Sequence, residues 1–117
     1  MRLQSNLWVA AYIRGVEQAG AFAVVLKRGE ATAGAIYIKV ARLDGTAQLY
    51  SPALILDASR PSERAWQLEF GPAPIAEQEV DGFLTSQRSF DGDLWIVEVE
   101  DRQGRHFLGD QVQDAAL

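Results

Sequence analysis

The chain has 117 residues and a formal net charge of −5, with 48% hydrophobic and 23% charged residues. This length predicts one domain, and the composition is typical of a globular protein and excludes a disordered chain. The sequence contains no cysteine and a single histidine, which excludes disulfide scaffolds, zinc ribbons, iron–sulfur sites and thiol catalysis. We expect one domain over residues 1–109 and a frayed tail over 110–117.

The charge is unevenly distributed along the chain. Residues 1–64 contain eight basic and five acidic residues, whereas residues 65–117 contain three basic and eleven acidic ones. The acidic total is not typical of a duplex-DNA binder, which is usually basic overall. The apolar run over residues 7–13 is far shorter than the roughly 20 residues that cross a bilayer. We therefore expect a cytoplasmic protein with no membrane partner.

The first predicted element is a helix over residues 7–19. Ser5 is a suitable N-cap, and Gly20 suits the position after the last turn. Trp8, Tyr12 and Val16 share one face at helical spacing. Residues 7–13 are apolar on every side, so a strand remains the alternative for that run.

Three strands are predicted next, over residues 22–28, 35–42 and 46–51, with a loop over 29–34. Asp44-Gly45 between two apolar runs is a strong signal for a two-residue hairpin turn. Together these segments predict a three-stranded antiparallel meander. A tight turn at Asp44-Gly45 places Lys39 opposite Tyr50 and Val40 opposite Leu49.

The second half predicts a loop over residues 52–64, a short strand over 64–70 and a helix over 75–90. Pro74 suits the first helical position, and acidic residues in the first turn suit the helix dipole. A strand over residues 94–100 and a short return strand over 105–108 follow. The fold class is therefore α+β, with a mostly antiparallel sheet of about five strands and two helices packed mainly on one face.

Three stretches of the sequence resemble a known family. They are LWVAAYIR over residues 7–14, AGAIYIKVARLDG over 33–45 and FDGDLWIVEVEDRQGRHFL over 90–108. They are similar to a family of small bacterial proteins called domain of unknown function 1491. The resemblance covers nearly the whole chain and implies a single-domain bacterial protein. It implies no catalytic residue.

The inferred strand register gives the meander one aliphatic face and one mixed face. The aliphatic face consists of Ala23, Val25, Ile36, Ile38, Val40, Ala47 and Leu49. The mixed face carries Phe22, Val24, Leu26, Arg28, Tyr37, Lys39, Gln48 and Tyr50. A one-residue slip in register would exchange the two faces.

Four residues of the mixed face form the first candidate site, a binding surface made of Arg28, Tyr37, Lys39 and Tyr50. Tyrosine and arginine are favoured at protein interfaces, so we predict a non-enzymatic binding or assembly domain. It would form a homodimer through this face or through a sheet edge, or bind another protein. An aromatic ring beside a cation also suits single-stranded nucleic acid, which is the alternative. A third interpretation is that a helix of the same chain covers the aliphatic end of this face.

The second candidate site is a set of polar residues near the end of the chain: Glu98, Glu100, Asp101, Arg105 and His106. Glu98 and Glu100 emerge from one strand face about 6.5–7 Å apart. Carboxylates beside a histidine could hold a divalent metal, which makes a metal-assisted hydrolase a further alternative. Alternating apolar and acidic residues are, however, typical of a half-solvated strand whose acids are solvated or pair with Arg102 or Arg105. We therefore predict no catalytic residue, cofactor or bound metal.

Overall fold

The computed structural model describes residues 2–54 and 64–114. Two helices and seven strands are found in this part of the chain, which gives an α+β fold. In chain order they are α1 (Ser5–Gln18), β1 (Phe22–Lys27), β2 (Ile36–Ala41), β3 (Thr46–Ala53), β4 (Ala65–Leu68), β5 (Ile75–Ala76), α2 (Glu77–Phe90), β6 (Trp95–Glu100) and β7 (Val112–Asp114). None of the helices in these residues is long and apolar enough to cross a membrane.

The seven strands form one mixed sheet in the order β1-β6-β2-β3-β4-β7, with β5 paired to β3. β6 is antiparallel to β1 and parallel to β2, and β7 is parallel to β4. The sheet is therefore mixed, and the prediction of a mostly antiparallel sheet is wrong. The predicted three-stranded meander is also wrong, because β6 lies between β1 and β2. The physical reason lies in β6 itself. Its apolar side chains point to both faces, so it is stable only in the centre of a sheet with both faces covered.

The predicted β2–β3 hairpin is confirmed, but its register differs by one residue. The Arg42 N–H donates to the Thr46 carbonyl, so the loop between the strands contains three residues instead of two. Leu43 and Gly45 both adopt left-handed backbone angles, with φ of 64° and 88°. The longer loop places Lys39 opposite Leu49 and Ile38 opposite Tyr50. Every side chain of β3 therefore changes face relative to the predicted pairing.

The two helices cover opposite faces of the sheet. The prediction that both pack mainly on one face is therefore wrong. α1 contributes Val9, Tyr12 and Val16 to a cluster with alternate residues of β2 and β6. α2 contributes Val80 and Leu84 to a second cluster on the other face. The intervening strands are apolar on both faces, and each face requires its own helix.

The helix ends differ in detail from the predictions. Residues 7–13 are helical, and Gly20 follows α1 with φ of 89° as predicted. Gln4, however, occupies the N-cap position, and Ser5 lies inside the helix with its Oγ donating to the Gly34 carbonyl at 2.7 Å. α2 begins only at Glu77, because residues 75–76 pair with β3 as β5. Pro74 is therefore not in the helix.

The end of the chain also departs from the predictions. Residues 105–108 are not a strand, because side chains take up their backbone groups. The Arg105 N–H donates to Asp101 Oδ2 at 2.8 Å, and the Tyr12 hydroxyl donates to the His106 carbonyl at 2.6 Å. Residues 112–114, predicted as part of a frayed tail, form β7 beside β4. Most of the predicted loop over 52–64 and the last three residues of the predicted tail lie outside the described residues.

Candidate functional site

The four residues of the predicted binding surface do not lie together. Ile38 and Tyr50 are directly opposed, so Tyr50 points toward α1, whereas Tyr37 and Lys39 point toward α2. Lys39 and Tyr50 are each only 3% exposed. The prediction of one exposed aromatic and basic face is therefore wrong. Self-association through that face and single-stranded nucleic-acid binding both lose their geometric basis.

The other two residues of that set have separate surroundings. Arg28 is exposed, with its guanidinium carbon 5.1 Å from the centre of the Trp95 ring. Tyr37 is half-buried beside α2, and its hydroxyl lies 3.5 Å from Gln87 Oε1. Burial raises the pKa of Tyr37, and the carboxylates of Glu69 and Asp91 raise it further. The Tyr37 side chain therefore packs against α2.

Lys39 is the centre of a buried ion cluster between the sheet and α2. Its Nζ lies 2.7 Å from a carboxylate oxygen of Glu77, 2.7 Å from Asp81 and 3.0 Å from Glu98. Burial lowers the pKa of Lys39, but hydrogen bonds to Asp81, Glu77 and Glu98 outweigh this effect and hold it above its usual range. One ammonium group thus fixes α2 to β2 and β6. The charge of Lys39 holds α2 against the sheet, so it is not available to bind an external anion.

The second predicted set is divided between the two faces of the sheet. Glu98 pairs with Lys39 on the α2 face, whereas the His106 ring packs edge-on to Tyr50 at 5.2 Å on the α1 face. The predicted pairing of Glu98 with Arg102 or Arg105 is therefore wrong. Among the described residues, no group of three or more acidic, histidine or cysteine side chains could hold a metal ion. The metal-assisted hydrolase has no geometric basis in these residues.

Asp101, Arg105 and His106 stabilise the turn after β6. Arg105 donates to both carboxylate oxygens of Asp101, and this side-chain hydrogen bonding lowers the pKa of Asp101. His106 Nδ1 accepts a hydrogen bond from the Leu108 N–H at 2.9 Å, and burial lowers the pKa of His106. The histidine is therefore held neutral as a structural acceptor.

The outer side of β1 is an uncovered edge of the sheet, which we call the β1 edge (residues 22–27). Among the described strands, β1 pairs only with β6, and its other side has no strand neighbour. Phe22 is 52% exposed and Leu26 is 51% exposed. Val24 shares a sheet face with Phe22 and belongs to neither hydrophobic cluster. The sheet therefore ends in an apolar strand that neither helix covers on its α2 face.

Sequence reasoning placed Phe22, Val24 and Leu26 on the mixed face but did not recognise their position at an open edge. The signal that could have found it is the two-sided apolar pattern of β6. A strand with apolar residues on both faces is typical of the centre of a covered sheet, and β6 in that position pairs with β1, whose other side has no partner among the described strands.

Comparison with known proteins gives a consistent assignment over the whole fold. The model of a protein family of unknown function, DUF1491, matches residues 3–109. A crystal structure of a DUF1491 family protein from Caulobacter crescentus CB15 has a TM-score of 0.78 and 42% sequence identity, and the match covers 96% of this chain and 98% of that one. An NMR structure of a DUF1491 family protein from the same organism has a TM-score of 0.77 at 42% identity, covering 96% of this chain and 97% of that one.

A solution structure of the protein Atu0922 from A. tumefaciens is similar as well. Its TM-score is 0.75 at 38% identity, and the match covers 97% of this chain and 99% of that chain. A search of the curated proteins finds no match. The similarity is therefore one of fold and family, and it supplies no activity.

Proposed function

The chain belongs to the DUF1491 family, and we propose that it is a small assembly domain that self-associates by pairing its β1 edge with that of a second copy. The observation that supports this proposal is the six-residue edge strand with exposed Phe22 and Leu26. An edge strand presents unpaired N–H and C=O groups that can bind another strand. Pairing two β1 strands would continue the sheet across the two molecules.

The side chains of β1 favour such pairing over an edge that is protected from it. Natural edge strands are usually protected by charges, proline or bulges. Residues 22–26 contain no charge and no proline. The first charge is Lys27, whose ammonium group donates to the carbonyls of Gly92 and Leu94 within the same molecule. One protective feature is present, a bulge between Val25 and Lys27, so the edge open to regular pairing is residues 22–25.

An antiparallel pair related by a twofold axis fits this edge. Such an axis brings the same patch of each copy together, so each exposed apolar side chain meets an apolar strand of the partner. An axis perpendicular to the sheet also keeps the α1 layers on one side and the α2 layers on the other. The contact is small compared with the roughly 1,200–2,000 Å² of a stable interface. We therefore expect a dimer that depends on protein concentration.

Analytical ultracentrifugation tests the proposal. The wild-type chain is expected to show a monomer–dimer equilibrium in the micromolar range. Phe22→Lys and Leu26→Lys are expected to shift it to monomer, because like charges would meet at the paired edges. Phe90→Lys is the matched control, since Phe90 is 86% exposed but lies at the end of α2.

Two results would contradict the proposal. One is a strict monomer at high micromolar concentration of the wild-type chain. The other is a dimer that Phe22→Lys and Leu26→Lys leave intact while both variants keep the wild-type circular dichroism spectrum. In the second case, loss of the dimer in Phe90→Lys would place the contact on α2.

A further inference from the structure

A cleft of about 190 Å³ lies at the end of the sheet where α1 begins, between Arg2 and Arg64. Its walls come from the start of β2, the end of β3 and the start of β4, and we call it the arginine cleft. These three strand ends meet there because β3 is antiparallel to both of its neighbours. Ile36 and Trp66 form a buried apolar floor. The cleft is separate from the β1 edge, which lies at one end of the strand order.

The guanidinium group of Arg64 is held in place by the start of α1. Its Nη2 donates to the Leu3 carbonyl at 2.9 Å and lies 3.4 Å from Ser5 Oγ. Its central carbon lies 5.9 Å from the centre of the Trp8 ring. The Nε of Arg64, in contrast, is buried and finds no hydrogen-bond partner among the residues that the structure describes. A buried donor without an acceptor is costly, so such groups are rare unless they serve a purpose.

The charges that the described residues contribute to this cleft are also unbalanced. Burial lowers the pKa of Arg64, and the positive charge of Arg2 lowers it further. Within residues 2–54 and 64–114, no carboxylate forms an ion pair with either arginine. Two cations that repel each other beside an unsatisfied donor form a site that an anion would stabilise.

The geometry points to the arginine cleft as a binding site for a small oxyanion, a phosphate or carboxylate group, with Arg2 and Arg64 as its two cationic ligands. Guanidinium groups bind such anions through paired, charge-assisted hydrogen bonds. The anion offsets the repulsion between the arginines and offers acceptors to the donors of Arg64. The cleft, at about 190 Å³, has room for an oxyanion on a small organic group.

Titration of the ¹⁵N-labelled chain with inorganic phosphate, and separately with acetate, tests this site by NMR at constant ionic strength. Saturable shifts are expected at the Arg64 Nε–H signal and at the amides of Gly34 and Ala65. Arg2→Gln is expected to weaken phosphate binding by about tenfold, which is a typical loss for one charged contact. Arg14→Gln is the matched control, because Arg14 is an exposed arginine in α1 outside the cleft.

The choice of variant and of anion distinguishes a phosphate site, a carboxylate site and the absence of a site. Arg64→Gln is expected to abolish binding. Arg64→Gln also removes the contacts of Arg64 to α1. Arg2→Gln leaves those contacts in place and therefore tests the site independently of them. Saturation by phosphate alone assigns a phosphate-bearing ligand, and saturation by acetate alone assigns a carboxylate. The site is excluded if neither anion gives shifts beyond those of matched chloride. It is also excluded if Arg2→Gln binds phosphate as tightly as Arg14→Gln does.

Discussion

At the scale of single residues, Lys39 shows how one charge can fix the position of a helix. It is nearly buried, and its three carboxylate partners differ in exposure: Asp81 is 53% exposed, Glu77 34% and Glu98 16%. Glu98 therefore depends most on the ammonium group, because it has the least contact with water. Removing Lys39 leaves three neighbouring negative charges with no compensating cation.

Lys39→Met is expected to lower the free energy of unfolding by about 2 kcal/mol, less than the 3–5 kcal/mol typical of a fully buried pair, because two partners reach solvent. Urea unfolding measures this change. Adding Glu98→Gln is expected to restore part of the loss, since it removes the least solvated uncompensated charge. Arg14→Met, an exposed cation on α1, should change stability by less than about 0.5 kcal/mol. A Lys39→Met effect no larger than this control would contradict the role of the cluster.

His106 gives the molecule a dependence on pH. Because burial lowers its pKa, the unfolded chain binds a proton more readily than the folded chain, and protons favour unfolding. Stability from this residue is complete above the ordinary histidine pKa of about 6.5 and falls as the pH decreases through that value. His106→Gln is expected to flatten the change in unfolding free energy between about pH 7 and pH 5. An unchanged pH profile would show that the histidine titrates normally.

The Asp101–Arg105 pair acts in a different pH range. Its lowered carboxyl pKa means that its contribution is present above the ordinary aspartate pKa of about 3.9 and is lost below it. The two effects are therefore separable, because His106→Gln should leave the loss of stability below about pH 4 in place.

At the scale of elements, the connection between β1 and β2 depends on close approach of backbones. A Cβ added to Gly34 would meet the Asp93 carbonyl oxygen and would lie 2.8 Å from the Glu30 carbonyl oxygen. Gly29 approaches the same Asp93 carbonyl, so two glycines pack against Asp93, two residues before β6. Backbone atoms cannot move aside without shifting the strands to which they belong.

Gly34→Ala is expected to lower the free energy of unfolding by about 2 kcal/mol, because the clash is with backbone. Gly82→Ala is the matched control in α2, where an added Cβ meets nothing within 4 Å. It is expected to raise stability by about 0.5–1 kcal/mol through helix propensity. Thermal or urea unfolding of both variants measures the difference. Equal effects of the two substitutions would contradict the close approach at Gly34.

Several elements could be predicted from the sequence because their signals are local. The 3.6-residue pattern of α1 and the strand-forming run of β6 each lie within one segment. The register of the β2–β3 hairpin could not be predicted, because the expected two-residue turn at Asp44-Gly45 left out Leu43, which instead joins the loop in the left-handed conformation. Non-glycine residues rarely do so, and nothing in the sequence marks this one.

At the scale of the whole molecule, β6 connects the two halves of the interior. Trp95 and Val97 belong to the cluster under α1, whereas Leu94, just before β6, and Ile96 belong to the cluster under α2. If β6 left one cluster, the apolar side chains of the other cluster would be exposed to water as well. The two layers should therefore unfold as one cooperative unit.

Urea unfolding followed by two probes tests this expectation. Tryptophan fluorescence reports on Trp8, Trp66 and Trp95, which all pack in the cluster under α1, and far-ultraviolet circular dichroism reports on both helices. The two transitions are expected to coincide at the same urea concentration. A separate early loss of helical signal with unchanged fluorescence would show that α2 and its cluster unfold independently.

The sheet order and the candidate sites could not be predicted from the sequence, and the reason is the same for both. Strand pairing between β1 and β6 joins residues about 75 positions apart, and such pairings leave no short-range pattern. The predicted sites depended on that pairing and on the hairpin register, so Lys39 and Tyr50 were placed on a surface where neither is exposed. Arg2 and Arg64 were not recognised as partners, because only the folded sheet brings them together.

The central position of β6 also has a consequence for synthesis of the chain on the ribosome. β1 and β2 emerge early, but the strand that lies between them is translated only after nearly all of the other elements. Until then both strands have an open side, and the growing polypeptide must avoid premature pairing with neighbouring nascent chains. Translation speed and chaperone access before residue 100 is released should therefore determine how much of the protein is recovered in a native form.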